Sequence, residues 1–153
     1  MNGIPKSPVN PLADLYQLIE KGRIQKPVTV RGKTFLFRSL NDEDYTWRDQ
    51  FVNMSGPVVM FSSQRSPTLA VATVAIDGVP VEQIEGLDEM GDKIPMAARE
   101  FVAANAKYLI AYNLHSHLYS QLPREYLEEL YDKFLTEIEA PSRAVTEGDV
   151  KNS

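Results

Sequence analysis

Leu12, Leu15, Tyr16 and Ile19 fall at i, i+3, i+4 and i+7, which puts all four on one face of a short helix that ends near Gly22. Residues 1–11 hold three prolines and no period, and predict an extended arm. Over residues 27–38 the period changes to alternation, the clearest β pattern in the chain. A two-residue turn at Gly32 and Lys33 would pair Arg31 with Thr34, Val30 with Phe35 and Val28 with Phe37. Both apolar pairs then share a face, and Gly32 supplies the positive φ of a II′ turn. A turn one residue earlier sets Val30 opposite Lys33, a worse match. Two strands alone are marginal in water, so the Val/Phe face must rest on helices or on another chain.

Asn41 is a good N-cap, and Asp42, Glu43 and Asp44 follow where a helix start favours negative charge. That helix should run to about Met54, with Tyr45, Phe51 and Val52 inward, and break at Ser55, Gly56 and Pro57. The run Val58, Val59, Met60 and Phe61 is too short to classify by period. Ser66 and Pro67 read as an N-cap and first helical residue, opening a helix over 69–76 apolar enough to be buried on nearly every side. Residues 77–80 form a turn, and residues 81–90 an acidic connector.

Pro95 should open a long central helix reaching Tyr119, with a stripe of Phe101, Tyr108, Tyr112, His115 and Tyr119, and Val102 and Leu109 beside it. After Pro123 a last helix over 124–139 has Leu127, Leu130, Tyr131, Phe134 and Ile138 on its apolar side. The chain then turns polar. The pattern predicts an α+β fold, a mostly helical single domain with an N-terminal β-hairpin. Its parts are an arm at 1–11, a helical domain at 12–140 containing the hairpin at 27–38, and a flexible tail at 141–153.

Composition narrows the function classes. A chain of 153 residues with 43% hydrophobic residues is long enough to bury its own core. It has no cysteine, which removes disulfides, thiol nucleophiles and thiolate metal sites together. The start lacks the basic and apolar regions of a signal peptide, and no apolar run approaches the ~18 residues of a membrane span. Net charge is −5; residues 1–65 carry nine Lys or Arg against six Asp or Glu, too small a basic excess for nucleic-acid binding. The acidic last helix reads as a solvated face.

The only two histidines, His115 and His117, point about 200° apart on a helix and cannot grip one metal ion from it. Phosphate-binding glycine loops and nucleophile elbows are missing, and the 42–44 carboxylates have no calcium-loop spacing. These absences predict a binding protein rather than an enzyme, without cofactor. Trp47, the sole tryptophan, sits beside Arg48 and is either a core side chain or a binding anchor.

A hairpin offers two edges to which another chain can pair. Lys26, Arg31, Lys33 and Arg38 surround its apolar face with charge, and the expectation is a protein-binding surface anchored by Arg31, Lys33, Phe35, Phe37, Arg38 and Trp47. The alternative is that Phe35 and Phe37 pack on the chain's own central helix.

Three segments carry a family resemblance: VTVRGKTFLFRSLNDEDY at 28–45, WRDQFVN at 47–53 and SPTLAVATVAIDGVPV at 66–81. In order they resemble small bacteriophage proteins of the tail assembly chaperone and baseplate hub assembly group. The shared order is a hairpin closing on Phe37-Arg38-Ser39-Leu40, a capped helix with Asp42-Glu43-Asp44, and an Ala/Val-rich helix running into Ile76-Asp77-Gly78-Val79-Pro80-Val81. The resemblance implies a protein that binds tape-measure, baseplate hub or other tail proteins without nucleotide, in the host cytoplasm during assembly. It equally admits a structural component retained in the virion tail or baseplate. Members with a frameshifted extension would continue past Pro141.

Overall fold

Residues 11–54, 64–91, 94 and 96–144 are described by the computed structural model. The expected arm up to residue 10, the break at 55–57, the apolar run at 58–61, Pro95 and the tail from 145 lie outside them.

The first helix, α1 (Ala13–Gly22), forms where its spacing predicts. In the hairpin that follows, β1 (Gln25–Val30) and β2 (Lys33–Arg38) pair antiparallel with Val28 opposite Phe35 and Val30 opposite Lys33. The turn is Arg31-Gly32, at φ 49° and 85°. Two successive positive φ values are the I′ geometry, whose twist matches that of the flanking strands. The expected turn at Gly32-Lys33 is thus corrected, and with it the Val30–Phe35 and Val28–Phe37 pairs. Asp77 supplies the physical reason. Its carboxylate accepts hydrogen bonds from the Thr34 amide and the Lys33 ammonium, both at 2.8 Å, which draws Lys33 into the strand. Side chains alternate with period two, and the two registers keep the same parity. Val28, Val30, Phe35 and Phe37 therefore still share one buried face.

The hairpin belongs to a four-stranded sheet, completed by β3 (Thr73–Ile76) and β4 (Val79–Pro80) and ordered β1-β2-β3-β4. The buried helix expected over 69–76 stops early. α3 (Arg65–Ala72) gives way to β3 (Thr73–Ile76), which pairs with β2 across a bulge at Leu36 and Phe37. An apolar run looks the same in a buried helix and a buried strand; here Thr73, Val74 and Ile76 are β-branched, and β2 had an edge to fill. Asp77-Gly78 then turns the chain into β4 (Val79–Pro80). β2 is thereby paired on both sides, and β1 is left as the outer strand, with Pro27 where an edge tolerates it. The helix α6 (Arg124–Phe134) reaches that strand. Tyr126 Oη donates to the Val30 carbonyl at 3.1 Å and Lys133 Nζ to the Thr29 carbonyl at 2.9 Å.

α2 (Asp42–Met54) starts as predicted: Asn41 Oδ1 accepts from the Asp44 amide at 2.9 Å, and Asp44 Oδ2 accepts from the Asn41 amide at 3.0 Å. This is a reciprocal capping box with Asp in the third position. α3 begins two residues earlier than expected. Gln64 is its N-cap and Ser66 lies inside, its hydroxyl bound to His115 instead.

The single long helix expected from Pro95 is two helices, α4 (Met96–Ala103) and α5 (Ala106–Asn113). Asn105 divides them because its side chain caps α5, accepting from the Lys107 amide at 2.9 Å. α5 continues through a π-helical turn over Leu114–Leu118 and a 3-10 turn over Tyr119–Gln121.

α6 likewise passes through a π-helical turn, Leu135–Glu139, and stays helical to residue 144, so the boundary expected before Pro141 moves. Buried Glu139 holds this segment to α2, accepting from the Leu40 amide at 3.0 Å and from the Tyr45 hydroxyl at 2.8 Å.

The result is an α+β domain, mostly helical, with its hairpin near the N-terminus. The hairpin face packs against Leu114, Tyr119, Leu130, Phe134 and Ile138. A second cluster gathers Phe51, Val71, Val102, Leu109 and Tyr112 from α2, α3, α4 and α5. Each large side chain buried in this way contributes about 1.5–3 kcal/mol. Among the described residues no helix is long and apolar enough to cross a membrane.

Candidate protein-binding surface

The six residues expected to form one binding surface are distributed over three environments. Phe35 and Phe37 are 3% and 0% exposed, stacked on each other with centroids 5.8 Å apart. Phe35 also meets Tyr119, and the edge of Phe37 meets Phe134. They are core side chains, and their expected role as anchors is corrected: the alternative reading, packing on the chain's own helices, describes them.

Arg38 and Trp47 both hold α2 in place, Arg38 from β2 and Trp47 through the neighbouring helices. Arg38 forms a fork on Asp44, with Nη1 at 2.6 Å from Oδ2 and Nη2 at 2.9 Å from Oδ1, and Nη2 also donates to the Val71 carbonyl at 2.9 Å. Burial pushes the Asp44 carboxyl up, but the Arg38 fork and the Asn41 amide outweigh it and leave it below the usual carboxylate range. Trp47 stacks on Tyr108 and tilts against Phe101, half-buried. Tyr108 in turn donates its hydroxyl to Glu43. Arg38 thus ties α2 and α3 to the sheet, and Trp47 ties α2 to α4 and α5.

Arg31 and Lys33 alone remain at the surface, on the hairpin tip. Arg31 pairs with Glu129 at 3.3 Å and Lys33 with Asp77 at 2.8 Å. Both cations already have carboxylate partners within the chain.

The apolar surface lies elsewhere. Leu12, Leu15, Tyr16 and Ile19 are 47%, 53%, 55% and 49% exposed, and α1 has no buried residue at all. The same i, i+3, i+4, i+7 signal that predicted the helix also predicted this stripe; what sequence could not supply was its exposure. α1 touches the body along another side, through half-buried Leu18 and through Gly22, whose carbonyl accepts from Ser39 Oγ at 2.9 Å and from Ser142 Oγ. Ser39 Oγ also accepts from the Ile24 amide at 2.9 Å. The helix is therefore anchored at its C-terminal end with its stripe turned outward.

A cleft of about 630 Å³ opens beside it, with Ile19 on its rim and Leu18, Ile24 and Leu40 as apolar lining. Among the described residues its charged lining is Arg23, Arg38 and Lys107, with no Asp or Glu. A second cleft, of about 380 Å³, shares Gln25, Arg38 and Lys107 with the first and runs to Trp47 and Tyr108.

Inside the domain, Ser66 Oγ lies 2.6 Å from His115 Nδ1 and 3.2 Å from the His115 carbonyl. Burial lowers the His115 pKa to about 4, so the ring is neutral at pH 7. Either the serine donates to the ring, or the ring donates to the serine while the serine donates to the carbonyl. Phe51 lies stacked 6.2 Å away and Tyr112 edge-on at 6.1 Å. Among the described residues no group of three or more His, Asp or Glu is placed to hold a metal ion.

No protein-family model matches this chain, and neither does any curated protein or solved structure.

Proposed function

We propose that this chain is a non-enzymatic bacteriophage tail assembly protein that binds other tail proteins, with the outer face of α1 as its main contact. The observation that carries the reading is the stripe Leu15, Tyr16 and Ile19, half-exposed on a helix with no buried side chain. Isolated helices shorter than about 12–15 residues are marginal in water, and most helix stability comes from covering an apolar face. α1 has ten residues and that face is open. Covering it with a partner removes apolar surface from water and stabilises the helix at once. The hairpin and helix motifs at 28–81 support the tail-assembly context, where the partners are tape-measure or baseplate hub proteins and the setting is the host cytoplasm.

Co-expression with the neighbouring tail proteins, followed by pull-down and mass spectrometry, tests this. Wild type should retain a tail protein, and Tyr16→Ser with Ile19→Ser should lose it while keeping wild-type circular dichroism. Retention at wild-type strength by that double variant would remove α1 as the contact. Presence in purified particles would assign the chain to the finished tail or baseplate; absence would leave it a transient chaperone.

A further inference from the structure

We infer that the partner segment seated on α1 is an acidic amphipathic helix, whose apolar face covers the stripe and whose carboxylates enter the adjoining cleft. The inference rests on the protein-binding reading above and specifies the chemistry of the partner.

Area gives the first argument. A ten-residue helix is about 15 Å long, and one face of it falls short of the roughly 800 Å² per partner that a specific interface buries. The occupant must extend off α1. Ile19 joins the stripe to the cleft, so the contiguous surface continues over Leu18, Ile24 and Leu40.

Charge gives the second. Of the three cations lining the cleft, Arg38 is matched by Asp44. Arg23 and Lys107 are exposed and form no ion pair among the described residues, although Lys107 lies over the Tyr108 ring at 6.0 Å and adds to the field at Asp44. A cleft with two cations outside any ion pair and, among the described residues, no carboxylate lining stands out in a chain whose net charge is −5. Complementary potential steers and orients a partner, and an apolar stripe beside it is the layout of helix-in-groove recognition. A second copy cannot supply this ligand from its own acidic helix, because the apolar face of α6, with Leu130 and Phe134, is committed to the core.

Two labelled synthetic helices test the inference by fluorescence anisotropy on the full chain. One is built of leucine, alanine and glutamate, the other has lysine in place of every glutamate. The acidic peptide should bind at least about tenfold more tightly, and the preference should shrink as salt rises toward about 1 M. Arg23→Glu with Lys107→Glu should reverse the preference, and Arg23→Gln with Lys107→Gln should abolish it at unchanged circular dichroism. Equal binding of the two peptides, or a preference that survives both charge variants, would overturn the inference. Sedimentation that shows a concentration-dependent dimer lost in Tyr16→Ser would do the same, by making a second copy the occupant. The two levels remain separable. Tail-protein capture that depends on Tyr16 but not on Arg23 and Lys107 sinks the acidic ligand and keeps the binding reading; capture independent of all three sinks both.

Discussion

The hairpin and α1 start from the same kind of signal and meet opposite fates. Both carry large apolar side chains on one face: Val28, Val30, Phe35 and Phe37 on the hairpin, and Leu12, Leu15, Tyr16 and Ile19 on the helix. The hairpin face is closed over by α5, α6 and the turns between them, while the helix face is left half in water. Periodicity states which residues will share a face; it carries no information about what covers that face. A hairpin joined to β3 is drawn into the sheet and onto the helices beneath it, whereas a helix held by Gly22, Ser39 and Ser142 at one end is free to present its stripe outward.

The largest expected effect tests the covered side. Phe134→Asp places an unpaired charge in a fully buried seam against Phe37, and should leave the chain unfolded or aggregated by circular dichroism and light scattering. A soluble, fully helical Phe134→Asp protein would mean that this face is not core. Phe37→Ala leaves a cavity in the same seam and should cost about 3–5 kcal/mol in urea unfolding.

The interior also sets an acid limit. The His115 pKa is about 4 in the folded chain and ordinarily 6.5, so between those values the unfolded chain binds the extra proton. Stability from this group is complete above pH 6.5 and is lost as pH falls to about 4, on the order of 3 kcal/mol in all. Unfolding free energies at pH 7 and pH 4 should therefore differ more in wild type than in His115→Gln. Equal losses would place His115 outside the acid transition.

At the hairpin tip, Arg31→Glu with Lys33→Glu turns two ion pairs into repulsive contacts with Glu129 and Asp77. A small fall in melting temperature and undiminished tail-protein capture are expected. Lost capture with an intact fold would return the binding surface to the hairpin. The smallest stability effect belongs to α1. Tyr16→Ser should change unfolding free energy by no more than about 0.5 kcal/mol, as exposed positions do, yet weaken capture. A loss of several kcal/mol would mean that the stripe is packed within the chain.

Much of the fold was legible along the chain because it rests on local rules. The Asn41 cap, the face shared by Val28 and Phe35, and the buried side of α6 follow from side-chain chemistry and from periods of 2 and 3.6. Apart from the local Asn105 cap that splits the expected long helix, the misreadings share a cause, which is competition from residues distant in sequence. Asp77 reaches across to Lys33 and Thr34 and moves the turn, and the open edge of β2 converts residues 73–76 from helix to strand. Ser66 gives up a cap to bind His115. Of the candidate site, sequence alone determined that α1 has an apolar face and that Arg31 and Lys33 are surface cations. Only the tertiary structure decided that Phe35 and Phe37 are buried against Tyr119 and Phe134, and that Arg38 and Trp47 are half-buried against Asp44 and Tyr108. The same packing left Leu15, Tyr16 and Ile19 uncovered beside Arg23 and Lys107. Burial is a property of pairs of surfaces, and a linear pattern describes one surface at a time.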